Sequence, residues 1–231
     1  MRAPEAYIRW VNTHLGFNPR GQANSDALSE FVTADLGATC AVFNSALRAG
    51  ELTARKNPDI RAKFAERSID LVFYEGADTP NMSVRLSVEN KTIMTAHGKA
   101  RKNRYGDLIA YSNHMHTHNA KCVAGAILVV NVSPDYENPD AFAKGIKRPR
   151  YKMEKVVSDT ISIFEKIPLR ETPGDANELP EAVSIIVVDY DGVNPGRLAS
   201  GPLAPQAGTH VNYEDFIQRL CSLYAARFAE P

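Results

Sequence analysis

Asp70, Glu89 and Lys91 are the residues of this chain best suited to chemistry. Glu89-Asn90-Lys91 ends the alternating run Ser83–Ile93, and Asp70 lies in an earlier apolar run, Ser68–Tyr74. Side chains two apart on a strand share a face, so Glu89 and Lys91 emerge together while Asn90 points away. Two strands that bring Asp70 beside Glu89 would offer a hard divalent cation two carboxylates, with an ammonium for the water it activates. That set suits hydrolysis of a phosphodiester. A charged residue inside the apolar stretch 69–73 is costly unless paired or metal-bound, which favours reading the three residues together. The acid-x-Lys triplet occurs once in the chain, at 89–91. Chance alone supplies about one, so the surrounding elements must decide.

Those elements read as follows. The first 65 residues are expected to be helical. Pro4 opens a helix whose stripe is Ile8, Val11 and Leu15, and Ser25 is expected to cap a second helix over 26–35. Gly37 is expected to break that helix, and Gly50 to end a further one. Pro58-Asp59 reads as another helix start. From Ser68 the pattern turns to strands. Ser68–Tyr74 and Ser83–Ile93 are joined by the turn-rich segment 76–81 as a hairpin. Helices are expected over 99–116, 152–167 and 212–229, and buried strands over 123–132 and 183–190. The segments 168–180 and 192–208 read as loops. The order predicts an α/β fold, a central mixed β-sheet flanked by helices with an N-terminal helical region. One domain is expected over 1–231: helical to 65, core over 66–190, then a loop and closing helix.

Over roughly residues 65–135 this arrangement resembles the PD-(D/E)xK nuclease superfamily, the group that contains most restriction endonucleases. Asp70, Glu89 and Lys91 match its motif, with Ile69 standing where the family has Pro. The resemblance implies a restriction endonuclease-like core in which an antiparallel hairpin carries the acids. It implies one or two Mg²⁺ ions held by Asp70, Glu89 and the backbone carbonyl of Asn90. Lys91 would then orient or deprotonate the attacking water, or stabilise the phosphorane. In many relatives a helix adds another acid; Glu30 is the candidate here, against a solvent-facing role. The activity implied is that of a type II restriction endonuclease cutting double-stranded DNA, naturally as a homodimer because one site cuts one strand. A repair or recombination nuclease and a non-catalytic DNA-binding module are the alternatives.

Zero net charge argues against a protein that coats nucleic acid throughout. Two local runs are basic, however. Lys99, Arg101, Lys102, Asn103 and Arg104 follow the motif, and Lys147, Arg148 and Arg150 lie in a later run without acids. Both are expected to meet DNA, the lysines at phosphates and Arg101, Asn103 and Arg104 also at base edges; the alternative is a solvated face. His114, His116 and His118, with His97 nearby, raise a zinc site, but positions two apart on a helix diverge and no cysteine sits at ligand spacing. A solvated helix end is expected. Asp189 and Asp191 read as a turn. Cys40, Cys122 and Cys221 are expected to be free thiols of a cytoplasmic protein. The longest apolar run is too short for a membrane span, and no secretory signal is read at the N-terminus.

Overall fold

The structure, a computed structural model, describes residues 1–18, 21–95, 97–136 and 152–229. Three helices lead: α1 (Ala3–Thr13), α2 (Gln22–Thr39) and α3 (Ala41–Arg48). Pro4 lies in the first turn of α1, where its missing N–H costs no helical bond. α2 starts at Gln22, so Ser25 is inside the helix rather than at its cap. It also runs through Gly37 to Thr39, because one glycine costs a helix only about 1 kcal/mol. Gly50, at φ +73°, turns the chain out of the helical part.

The helical region stops short of residue 65. β1 (Thr53–Lys56) follows α3, and β2 (Asp59–Ala62) and β3 (Ala65–Ser68) form a separate antiparallel ribbon. Pro58-Asp59 therefore opens a strand, not a helix. These strands escaped the pattern reading because β1 is exposed along its whole length and the ribbon buries only Ile60 and Ala62. A strand with no buried face carries no alternation to read.

The core elements are β4 (Leu71–Glu75), β5 (Ser83–Ile93), α4 (His97–His118), β6 (Val123–Asn131), α5 (Met153–Glu165), β7 (Ala182–Asp189), β8 (Arg197–Leu198) and α6 (Tyr213–Phe228). Among the described residues, six strands make one mixed sheet in the order β1-β4-β5-β6-β7-β8. β1, β4 and β5 pair antiparallel, β5, β6 and β7 parallel, and β8 antiparallel to β7. The fold is α/β, a mixed sheet flanked by helices, as expected. β6 is buried at every position, which explains its unbroken apolar run.

Alternate residues of the sheet build two cores. Leu86, Val88, Ile127, Val129 and Ile186 face α1, α2, α3 and α6. Ala126, Leu128, Val130, Ile185 and Val187 face α4 and α5. Each fully buried aliphatic or aromatic side chain contributes about 1.5–3 kcal/mol. Asn212 caps α6 by accepting the Glu214 N–H. Gly125 leaves room for that helix: a Cβ there would lie 3.0 Å from the Phe216 ring. The three thiols are free, and no described helix is long and apolar enough to cross a membrane.

Candidate active site

Asp70 sits at a bend just before β4 rather than within a strand. Two backbone bonds pin that bend, from Ile69 N–H to the Pro58 carbonyl (3.0 Å) and from Asn57 N–H to the Asp70 carbonyl (3.2 Å). β4 pairs with β5 only as far as Leu71 opposite Val88. Beyond that point one edge of β5 has no strand beside it among the described residues, while its other edge continues along β6 to Ile93. Asp70 fills the gap: its Oδ2 accepts the Asn90 backbone N–H at 2.8 Å. A residue's N–H and C=O leave an extended strand on the same edge, so the Asn90 carbonyl faces this side too. Asp70 Oδ1 accepts the Ser25 hydroxyl at 2.8 Å.

Glu89 and Lys91 point together to the α4 side, as the two-residue period requires. Lys91 Nζ lies 2.6 Å from Glu89 Oε1 and 3.5 Å from Asp70 Oδ2, so one ammonium touches both carboxylates. Arg67, from β3, brings a second cation to Glu89 Oε1 at 3.0 Å. Glu89 is only 2% exposed, and its Oε2 is buried with no hydrogen-bond partner. Burial pushes its carboxyl above the usual range, and Asp70 adds to the push; Lys91 and Arg67 pull the other way without cancelling it. Asn90 points to the opposite face, where its amide donates to Ser29 Oγ at 2.9 Å and Ser25 Oγ at 3.2 Å. An open cleft of about 260 Å³ runs over the site, lined by Ser25, Asp70, Asn90, Lys91 and Arg104 among others.

Glu30 does not join this group. It is exposed on α2 and paired with Lys56 of β1 at 2.5 Å. The helix presents Ser25 and Ser29 to the site instead, one turn apart on the same face. The donors therefore number two carboxylates and a backbone carbonyl, and no cluster of three or more His, Cys, Asp or Glu forms among the described residues. That set fits Mg²⁺, which binds through one or two carboxylates and completes its shell with water and phosphate oxygens. The Glu89 Oε2, which has no hydrogen-bond partner, is the carboxylate oxygen left open to an ion.

The basic run lies at the start of α4. Lys99, Lys102 and Asn103 are exposed. Arg101 is paired with Asp159 of α5 at 3.5 Å. Arg104 is tied to Asp107 at 2.5 Å and to the Thr92 carbonyl at 3.2 Å, which aims it along the cleft. Lys147, Arg148 and Arg150 lie outside the described residues.

The histidines are not a solvated helix end. A ring nitrogen of His114 lies 2.8 Å from the Ile60 carbonyl, and those of His118 lie 2.8 Å from the Arg61 and Met82 carbonyls, so both hold the ribbon. His116 is buried 2.8 Å from Glu181 Oε2. The three rings diverge to different partners, as expected of positions two apart. Asp191 forms a turn by accepting the Val193 and Asn194 N–H groups.

Sequence reasoning missed Arg67, Ser25 and Ser29 as site residues. Arg67 lies three residues before Asp70, but in a strand whose exposure hid its direction. Comparison with protein-family models, with curated proteins and with solved structures yields no match.

Proposed function

We propose that the protein is a Mg²⁺-dependent nuclease of the PD-(D/E)xK type with a restriction endonuclease-like core, hydrolysing phosphodiester bonds of double-stranded DNA as a type II restriction endonuclease. One observation carries the reading: Lys91 stands between Asp70 and Glu89 at the open end of β5, beneath a cleft reached by Arg104. Bound Mg²⁺ would supply charge neutralisation at the phosphate and an acidified water. The side chains do the rest. Asp70 and Glu89 would hold the ion with the Asn90 carbonyl, and Ser25 and the Asn90 N–H fix the orientation of Asp70. Lys91, released from the carboxylates, orients the attacking water and supports the charge that builds on the phosphoryl oxygens. Lys99, Lys102 and Asn103 offer exposed groups to the DNA backbone, with Lys147, Arg148 and Arg150 as further contacts. A homodimer would place one site on each strand, and three free thiols accord with a cytoplasmic location.

The test is incubation of the protein with unmethylated phage DNA and Mg²⁺, beside an EDTA control and the Asp70→Ala and Glu89→Ala variants. Discrete fragments from the wild type alone are expected. Unspecific degradation would move the reading to a repair or recombination nuclease. Binding without any cutting would leave a DNA-binding module. Near-normal cleavage by either variant would remove the site assignment.

A further inference from the structure

We infer that Arg67 is a second catalytic cation, parked on Glu89 in the free protein and passed to the scissile phosphate when substrate binds. This rests on the nuclease reading above. Arg67 comes from the ribbon, not the central sheet, and its Nη2 shares Glu89 Oε1 with Lys91. Its guanidinium carbon lies 6.0 Å from the ring centre of Tyr111. That ring is fully buried, and its hydroxyl is fixed 2.7 Å from Ser87 Oγ. The ribbon is itself anchored, by His114, by His118 and by a 2.9 Å bond from Arg61 N–H to the Pro80 carbonyl. Arg61, the ribbon's other arginine, is occupied by Glu66. Arg67 is thus the ribbon cation that a rigid support aims at the site, and its side chain keeps 27% of its exposure for an incoming group.

Charge explains why it should move. Asp70 and Glu89 carry two negative charges, and Lys91 and Arg67 carry two positive ones. A site that sums to zero attracts a divalent ion weakly. An entering phosphodiester brings a negative charge, and the planar fork of arginine matches two of its oxygens. Once Arg67 turns to the phosphate, one of the two cations on Glu89 Oε1 is gone, and its charge no longer opposes an ion at this carboxylate. In the hydrolysis, the oxygen of water bonds to phosphorus while the bond to the leaving sugar oxygen breaks. That oxygen departs with the electron pair and takes up a proton, the water's own proton passes to solvent, and Arg67 binds the two oxygens on which charge accumulates. A residue that merely positioned Glu89 would behave in the opposite way, since its loss would weaken metal binding.

The experiment titrates Mn²⁺ calorimetrically into wild type, Arg67→Ala, Arg67→Lys and Arg61→Ala without DNA, then measures duplex binding against salt and cleavage with Mg²⁺. Arg67→Ala is expected to bind Mn²⁺ about tenfold more tightly. It should cleave about 10²–10³-fold more slowly and lose about one unit from the slope of log affinity against log salt. Arg67→Lys should keep the slope and recover part of the rate, and it carries the comparison if Arg67→Ala fails to melt cooperatively. Arg61→Ala should match the wild type throughout. Weaker Mn²⁺ binding by Arg67→Ala, or cleavage at the wild-type rate, overturns the role. If the wild type binds duplex DNA without cutting it, the nuclease reading fails, and the salt slope of Arg67→Ala alone decides whether Arg67 contacts phosphate.

Discussion

Replacing Glu89 with Gln should abolish metal-dependent cleavage and yet stabilise the metal-free fold at neutral pH. The substitution keeps the shape and removes the charge. It forfeits two ion pairs, at 2.6 Å to Lys91 and 3.0 Å to Arg67. It also ends the desolvation of a nearly buried carboxylate, one oxygen of which has no donor. The upward displacement of the Glu89 carboxyl says that the second effect is larger. Replacing a whole buried ion pair stabilises by about 1–4 kcal/mol, whereas removing one partner leaves a charge behind. Only a small gain is therefore expected: Lys91 and Arg67 lose a partner but are part-exposed, and Lys91 keeps Asp70; about 1 kcal/mol would raise Tm by about 2–4 °C in a chain of this size.

The pH dependence follows from the direction of the shift. A group whose folded pKa is raised favours the native state fully below its unfolded value, ordinarily 4.5 for this carboxyl. That contribution is lost as pH rises through the folded value. The advantage of Glu89→Gln should therefore be near zero in acid, grow above pH 4.5 and level off once Glu89 is ionised in both states. Thermal melts of both proteins in EDTA across this range provide the measurement. A variant that melts below the wild type at pH 7 would show that Glu89 is a stabilising ion-pair partner and would refute the argument.

Three further outcomes are expected. Glu181→Gln should lower Tm on the order of 10 °C, from about 3–5 kcal/mol, because Arg170 and Arg227 would be left buried without a counter-charge. Burial alone would raise the Glu181 carboxyl, but His116, the Ala124 N–H and Arg227 outweigh it and hold it below its ordinary value. The deficit should thus be full above pH 4.5 and shrink as pH falls through the depressed folded value; a deficit that persists unchanged in acid would contradict this. Ser25→Ala should cost about 0.5–1.5 kcal/mol in melts and slow cleavage by loosening Asp70, whereas Glu30→Ala, exposed on Lys56, should change cleavage less than about twofold; equal losses in both would restore Glu30 to the site. Lys99→Ala and Lys102→Ala should each reduce the salt slope of duplex binding by about one without altering sequence preference, and unchanged slopes would make the start of α4 a solvated face.

How much of this was legible beforehand depends on where each residue is buried. Glu89 and Lys91 could be read because β5 has a buried face, so its alternation fixes which side chains emerge together. β6 and β7 announced themselves because both faces of each are covered, with every position of β6 and all but the last of β7 buried. The mixed sheet followed from the order of those elements. β1 and the ribbon could not be read, since strands stabilised by backbone pairing with little burial leave no periodic trace. Asp70 was read as lying within the strand-like run Ser68–Tyr74. Only the folded chain shows it at the bend, spanning the gap where β4 ends and β5 continues. Glu30 and Ser25 lie on one helix, and its rotation about its own axis, set by packing against the sheet, turned the serine inward and left the acid to Lys56. Arg67 reaches Glu89 from 22 positions away because His114 and His118 fasten the ribbon across α4. Local pattern thus determined the strand that carries Glu89 and Lys91, whereas packing between elements distant in sequence decided which charges surround them.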